Sequence, residues 1–381
     1  MANTTSFSYG STGSLTTLIK VLSAQSEGLK VCHINAQSLR AKIDEFRSNF
    51  ENSNIDVICV SETWFSISLP DNFINLNNYK IFRADRNGHG GGVAIYVRCG
   101  VQCKIIAKSP PTNDSECEYI FVEIKGSYDK VLIGCIYRPN CRINVAPLIN
   151  ILHQITVSYS NIILAGDFNS NILHETHLVD HMISLGLSTC NSTTPTHFTP
   201  TSSTLLDLFF VDNEDKVLLY DQLSAGQYSK HDLIFLTYNF HFDSTVMTST
   251  YPDFNNIDYS ALLEATLQVN WNLIYTMTSV DEQVYFLESN LVNLFQNHVP
   301  IKNNCNPKSN PWFTPQIKQL IKQRDRAYMR WKRYKTPELF KHYKDLRNLV
   351  VKNIRAEKSK HFESKFSKIL SSKQKWSQIK K

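Results

Sequence analysis

Residues Ile162-Ile163-Leu164-Ala165-Gly166-Asp167-Phe168-Asn169 set an apolar run directly against a glycine, an acid and an amide. The run is short and rich in β-branched and apolar side chains, the pattern of a strand buried on both faces. The polar residues after it read as the turn where the strand leaves the sheet. A strand end is where a buried scaffold can display an ionised group, because an unpaired charge inside the sheet is costly. Taken alone, Gly166-Asp167-Phe168-Asn169 reads equally well as an ordinary Asx-type turn.

The same arrangement recurs along the chain. The run 29–35 ends on Asn35, and the run 57–61 is followed by Glu62. The run 131–137 closes on Tyr137-Arg138-Pro139. Asp207 lies inside the apolar run 205–211, a costly place for a carboxylate unless it is paired. His231 stands just ahead of a run at 233–242, after Ser229-Lys230. Further strands are expected at 92–97 and 119–124, and amphipathic helices at 41–50 and 147–159. The glycines Gly88, Gly90, Gly91 and Gly92 precede one of these strands; no Gly-Lys-Ser/Thr follows, which argues against a nucleotide-binding loop and for a tight strand entry. No internal repeat is visible.

Taken in order, these residues resemble the endonuclease/exonuclease/phosphatase superfamily over about residues 29–243, and within it the apurinic/apyrimidinic-like endonuclease domain of non-LTR (LINE-type) retrotransposon polyproteins. The motifs that carry the resemblance are Ser61-Glu62-Thr63, Ile136-Tyr137-Arg138-Pro139-Asn140, Gly166-Asp167-Phe168-Asn169 and the closing segment with His231. It implies an α/β fold, a four-layer α/β sandwich of two packed mixed β-sheets flanked by helices. It also implies roles. Glu62 would be the principal magnesium ligand, with Asn35 helping to hold it. Tyr137 would contact the scissile phosphate. Asp167 would activate the attacking water and Asn169 would orient it. Asp207 would orient the catalytic His231. Thr196, Arg138 and Lys230 would lie against phosphate or DNA. The cofactor would be Mg²⁺, with Mn²⁺ as a substitute, and no small-molecule cofactor would be needed. One position departs from the pattern: the family closes with Ser-Asp-His, and here the sequence is Ser229-Lys230-His231-Asp232. A lysine where the family has an acid puts catalytic competence in question, and Asp232 is a poor substitute because adjacent strand residues face opposite ways.

Composition separates the chain into parts. At 42% hydrophobic and 19% charged it is ordinary for a folded protein, and no apolar run reaches the roughly 18 residues of a membrane span. Nine cysteines, an odd number without a Cys-x-x-Cys pair, read as reduced, mostly buried thiols. The net charge of +6 hides an asymmetry: residues 306–381 hold 22 Lys and Arg against 5 Asp and Glu, a balance of +17, leaving 18 against 29, or −11, elsewhere. An acidic body with a basic tail points to a polyanionic partner. In the tail, Arg324, Arg330, Lys332 and Arg333 interleave with Trp312, Tyr328, Trp331 and Tyr334, a pattern that predicts contact with nucleic acid. The same run equally fits a solvated helical hairpin. It also resembles the connector that leads to a reverse transcriptase in many non-LTR elements, although no polymerase motif follows.

The expected organisation is a leader at 1–28 without secretory-signal character, the endonuclease-like domain at 29–243, a linker and helical segment at 244–305, and the basic helical connector at 306–381. The resemblance implies a magnesium-dependent endonuclease that nicks DNA, with genomic DNA and, through the tail, element RNA as partners. It implies an intracellular protein acting in the nucleus, with a cytoplasmic ribonucleoprotein stage. Two further readings stay open: another phosphodiesterase or phosphatase of this fold, acting on abasic sites, RNA or small phosphates, or a catalytically silent nucleic-acid-binding protein.

Overall fold

The computed structural model describes residues 15–24, 27–51, 53–111, 115–191, 193–243, 250–303 and 310–366. It divides into two compact units, one made of residues 1–245 and 308–381, the other of 246–307.

The larger unit is built on two six-stranded sheets. In the first, β1 (Leu29–Asn35) and β2 (Val57–Ser61) are its parallel pair, with β3 (Tyr79–Ala84) and β4 (Val93–Arg98) beyond β2. The second contains β5 (Cys103–Lys108), β6 (Glu118–Lys125), β7 (Lys130–Tyr137), β8 (Ile162–Asp167), β9 (Ser188–Thr189) and β10 (Asp207–Val211). The chain then returns to the first sheet with β11 (Val217–Leu223) and β12 (Leu233–Tyr238). The strand orders are β11-β12-β1-β2-β4-β3 and β5-β6-β7-β8-β10-β9. Each sheet thus holds one parallel pair, β1 with β2 and β7 with β8, flanked by antiparallel neighbours.

The alternation of side chains explains the layers. Val31, Val57, Cys59, Ile133, Ile163, Ala165, Phe209 and Ile234 meet between the sheets. Their neighbours in sequence face outward and are also covered. Cys32, Ile34, Ile58 and Val60 lie under α1 (Leu15–Ala24) and α2 (Ile43–Phe50), against Leu15, Ile19, Phe46 and Phe50. Leu132, Leu164 and Phe210 lie under α4 (Ala146–Thr156) and α5 (His177–Ser184), against Leu148, Leu152, Leu178 and Met182; between α2 and α4 in sequence, α3 (Asp71–Ile74) is a single turn. Both faces of the central strands are therefore apolar, which is why they read as unbroken runs. The expected four-layer sandwich is present.

Part of the expected leader belongs to this fold. Leu15 and Ile19 are buried, so the helix 15–24 is a packed element and not a loose tail; residues 1–14 lie outside the described residues. Among described residues the cysteines are free thiols, as expected, and Cys305 lies outside them. Among described residues no helix is long and apolar enough to cross a membrane.

The basic segment forms two helices, α8 (Pro315–Tyr334) and α9 (Pro337–Phe366), separated by Lys335 in a left-handed cap. Thr314 caps α8 by accepting from the Ile317 N–H, with Pro315 at the helix start. The helical hairpin packs on the two-sheet body. Tyr328, Trp331 and Tyr343 form a buried cluster with Phe198 of the body, and the Tyr343 hydroxyl donates to the Gly226 carbonyl at 2.5 Å. Gly226 has to be glycine, because a Cβ there would lie 2.5 Å from the Tyr328 ring. Arg324, 1% exposed, makes a two-pronged pair with Glu45 of α2 at 2.7 and 3.0 Å and also binds Asp325.

The smaller unit holds α6 (Tyr259–Gln268) and α7 (Val280–His298), where helices were expected, and a short antiparallel pair of Thr250–Pro252 with Ile301–Asn303. Asp258 caps α6 and Ser279 caps α7.

Arg324→Ala leaves the carboxylates of Glu45 and Asp325 without their buried partner. The change is expected to destabilise the larger unit by about 3–5 kcal/mol, read as a fall in the urea midpoint followed by tryptophan fluorescence; an unchanged midpoint removes this pair from the docking of α8.

Candidate active site

The C-terminal ends of the two parallel pairs meet at one edge of the sandwich. Asn35 and Ser61 are in register at the ends of β1 and β2, and Tyr137 and Asp167 at the ends of β7 and β8. Asp207, at the start of β10, pairs with Asp167 across the antiparallel ladder. Asn35 joins the two sheets here. Its amide nitrogen donates to Glu62 Oε1 at 2.9 Å and to Asp167 Oδ2 at 2.7 Å, while its oxygen accepts from the Gln37 N–H at 3.1 Å.

Local backbone geometry aims the other groups. Gly166 passes so close to β7 that a Cβ would sit 2.1 Å from the Ile136 carbonyl oxygen, so the residue before Asp167 must be glycine. Glu62 and Asn169 both adopt positive φ, 51° and 46°, uncommon for residues with a side chain and enriched at functional sites. Asn169 turns back, its N–H donating to Asp167 Oδ1 at 3.0 Å and its side-chain amide to the Arg138 carbonyl at 2.6 Å. Glu62 is half-buried, with Oε2 3.3 Å from the Trp64 indole nitrogen.

His231 is held from several sides. Its Nδ1 lies 2.8 Å from Asp207 Oδ2 and 3.9 Å from Asp167 Oδ2. The Ser229 hydroxyl accepts from the His231 N–H at 3.1 Å and donates to the Asn35 carbonyl at 2.5 Å. His197 lies ring to ring with His231, centroids 4.5 Å apart. Beneath Asp207, the buried His33 places Nδ1 3.7 Å from Asp207 Oδ1 and Nε2 3.0 Å from the Ser61 hydroxyl. His33, His197 and Ser229 carry no expectation from the sequence alone, although the first two flank predicted site residues within His33-Ile34-Asn35 and Thr196-His197.

These contacts separate the protonation states of neighbouring groups. Burial alone would lower the pKa of His231, but the carboxylates of Asp207 and Asp167 outweigh it and raise it to about 9. Burial pushes Asp167 up to about 7, opposed by the charge of His231. Burial would also raise Asp207, but the charge and hydrogen bond of His231 hold it below the ordinary carboxylate value. Burial lowers both His33 and His197 to about 4, with the charge of His231 acting in the same direction. One imidazolium is thus set between two acids, with neutral imidazoles on its other sides. Tyr137 is buried at the same edge. Burial and the charges of Glu62 and Asp167 raise its phenol, and the Arg86 guanidinium lies 5.8 Å from its ring centroid.

Two carboxylate sets could hold a metal. Asp167, Asp207 and His231 offer ligand atoms within 4.8 Å of one another. In that set, Asp207 and the His231 nitrogen are already engaged with each other in a buried, charge-assisted hydrogen bond. Glu62, half-exposed and backed by the Asn35 amide, fits a hard divalent cation better, since such an ion takes one or two carboxylates and keeps several waters. Asn35 meets Glu62 through its N–H, so it supports the ligand and its amide oxygen points elsewhere.

Several sequence expectations need correction. Thr196 is fully buried, its hydroxyl accepting from the Leu206 and Asp207 N–H groups at 3.1 and 3.0 Å, so it braces Asp207 and does not face a phosphate. Arg138 is also buried, with Nε and Nη2 donating to the Ile143 carbonyl at 3.0 and 2.7 Å; it organises the 140–143 loop. Arg324 and Lys332, expected at nucleic acid, are consumed in ion pairs within the fold. Lys332 of α8 pairs with Asp232, the residue after His231, whose carboxylate is fully buried and also accepts from Gln222 at 2.7 Å. Burial raises the pKa of Asp232 and Lys332 opposes the rise. Lys230, Arg330 and Arg333 do reach solvent.

The family described as Endonuclease/Exonuclease/phosphatase family matches residues 31–224, ending just before the segment that carries His231. Among solved structures, a family protein from Leptotrichia buccalis C-1013-b aligns at TM-score 0.45 and 17% identity, covering 55% of this chain and 99% of its own. The endonuclease domain of TRAS1, a telomere-specific non-LTR retrotransposon, aligns at 0.42 and 14%, covering 55% and 98%. The AP endonuclease LMAP from Leishmania major aligns at 0.45 and 12%, covering 55% and 87%. No curated protein matches the chain in sequence.

In metal-free protein His231 is expected to keep its proton at pH 7 and release it near pH 9. The stability this lends is fully present below about pH 6.5 and lost as the pH rises through 9. Histidine-selective NMR titration in chelator reads this directly, and Asp207→Asn should move the release to lower pH; a titration near the free value excludes the arrangement. Lys332→Ala strands Asp232 and should lower the melting temperature at neutral pH, with the deficit shrinking in acid as Asp232 takes a proton. A deficit that does not vary with pH assigns Lys332 a packing role only.

Proposed function

The chain belongs to the endonuclease/exonuclease/phosphatase family, and from that premise we propose that it is a magnesium-dependent endonuclease that nicks one DNA strand and leaves a 3′-hydroxyl. The observation that carries the reading is the Asn35 amide shared by Glu62 and Asp167 beside a histidine charged by Asp207. Hydrolysis of a phosphodiester builds negative charge on the phosphoryl and leaving oxygens. A divalent ion held by Glu62 would neutralise part of that charge.

The chain's own groups supply the remainder. Asp167, with its pKa near neutrality, is tuned to accept the proton of an attacking water. The Asn169 side chain, fixed through its amide N–H bonds to the Arg138 and Pro139 carbonyls, leaves its oxygen to orient that water. His231 is locked through Nδ1, so Nε2 is the nitrogen that donates to a phosphoryl oxygen as imidazolium. Tyr137 presents its hydroxyl from the same edge.

The basic helices and the ordered motifs favour genomic DNA as substrate and target-primed reverse transcription by a non-LTR retrotransposon as the setting. That setting places the protein inside the cell, in the nucleus when it cuts, with element RNA as a further partner and a cytoplasmic ribonucleoprotein stage. Arg330 and Arg333, which face solvent, remain the tail cations suited to phosphate. A second reading rests on Lys230, exposed beside His231 where the family has an acid: a nucleic-acid-binding protein that no longer cuts.

Supercoiled plasmid with Mg²⁺ separates the readings. Wild type should convert it to nicked circles, and Glu62→Ala, Asp167→Ala and His231→Ala should each slow conversion by about 10²–10³-fold. Equal nicking by all four proteins, or none by any, refutes the assignment. Lys230→Asp should bring no gain in an active enzyme; a large gain supports the silent-protein reading. Hydrolysis of small phosphate esters in preference to plasmid would instead indicate a phosphatase.

A further inference from the structure

A cleft of about 540 Å³ opens where the α8–α9 hairpin leans over the strand-end loops. Its body wall is built from the loops that carry the site. It includes Trp64, which donates to Glu62, and Ser229-Lys230, which lead into His231. Its other wall is the hairpin, including Phe340, Arg347 and Arg355. The cleft therefore lies immediately beside the candidate active site, and half of it comes from a segment outside the family match at 31–224.

Charge decides what fits. The acids in the lining are neutralised, Asp44 by Lys358 at 2.7 Å and Glu45 by Arg324 at 2.7 Å. Lys230, Arg347 and Arg355 have no ion-pair partner among the described residues, and Lys230 and Arg355 are exposed. The surplus is positive and comes from both walls. Half-buried aromatic faces, Trp64 on one wall and Phe340 on the other, stand among these cations. Phosphate-seeking cations interleaved with rings are the pattern of a single-strand platform, where bases stack and the backbone follows the charge. The volume is that of a pocket for one small molecule, about 300–1,000 Å³, so it takes unpaired nucleotides and not a duplex.

We propose that this cleft is a binding site for single-stranded polynucleotide, seating unpaired nucleotides of the substrate strand beside the cut site. Lys230, Arg347 and Arg355 hold phosphates, and Trp64 and Phe340 stack on bases. The proposal rests on the nuclease reading for its setting, but not for its test. It also gives Lys230 a use: the lysine that replaces an acid becomes the body's contribution to the cleft.

The test uses the full chain in chelator, so that no cleavage occurs, with a fluorescein-labelled oligothymidylate and a blunt DNA hairpin followed by anisotropy. Lys230→Glu and Arg355→Glu should each weaken oligothymidylate binding by about tenfold and flatten its salt dependence by about 0.7 per lost contact. Hairpin binding should change less. Lys322→Glu, also exposed on α8 but outside the cleft, should change oligothymidylate binding by less than about twofold. The proposal is overturned if wild type does not bind the oligonucleotide, if neither cleft variant weakens it, or if Lys322→Glu weakens it as much. Wild type that binds in this way yet never nicks plasmid refutes the nuclease reading and leaves the cleft standing.

Discussion

The Asn35 amide is the point on which the two halves of the sandwich agree. It sits at the end of a strand in one sheet and donates to a carboxylate in each, Glu62 from its own sheet and Asp167 from the other. Two carboxylates so close would repel each other without a donor between them or a cation beside them. The spacing of the active edge is therefore set by one side chain with two N–H bonds. The sheets meet there because each contains a parallel pair whose ends point the same way, and residues that follow parallel strands emerge at the carboxyl edge, where such folds bind their ligands.

The remaining acids are balanced one by one. Asp207 has His231, with His33 beneath it, and Asp232 has Lys332 from α8. This last pair reaches across 100 residues of sequence and ties the basic hairpin to the residue next to the catalytic histidine candidate. A cut of the chain near residue 243 would leave Asp232 without its lysine and would uncover Phe198, which packs against Tyr328 and Trp331. The hairpin is thus part of the folded unit that carries the site, and removing it wholesale would confound any measurement of its affinity for nucleic acid.

The central strands were legible because both of their faces are buried, and an unbroken apolar run is hard to mistake. The strands that escaped reading lie at sheet edges: β3 with Lys80 and Arg83, β5 with Lys104 and Lys108, and β11 with Asp221 and Gln222. Edge strands carry charge to discourage pairing with other chains, and that charge erases the apolar signal. Helix α1 was hidden by a Ser- and Thr-rich surrounding, although Leu15 and Ile19 bury one face. At the site, Asn35, Glu62, Tyr137, Asp167, Asn169, Asp207 and His231 could be picked out because polar residues at the ends or within apolar runs stand out. Thr196 and Arg138 show the limit of that reasoning. A polar side chain near a site is as readily spent on a backbone carbonyl or N–H as on a substrate, and only the three-dimensional partners tell which.

The basic segment makes the same point on a larger scale. Its surplus of cations predicts a polyanion nearby, but net charge carries no direction. Arg324 and Lys332 face inward to acids of the body, and Lys335 donates to the Thr199 carbonyl at 3.0 Å. Part of the asymmetry between acidic body and basic tail is therefore internal: the two segments are complementary to each other before either meets a partner. What is left for a nucleic acid is the remainder after those pairs are made, and its position matters more than its size. Arg347 and Arg355 lie across a cleft from Lys230, on the loop that leads into His231, so the unspent charge borders the chemistry.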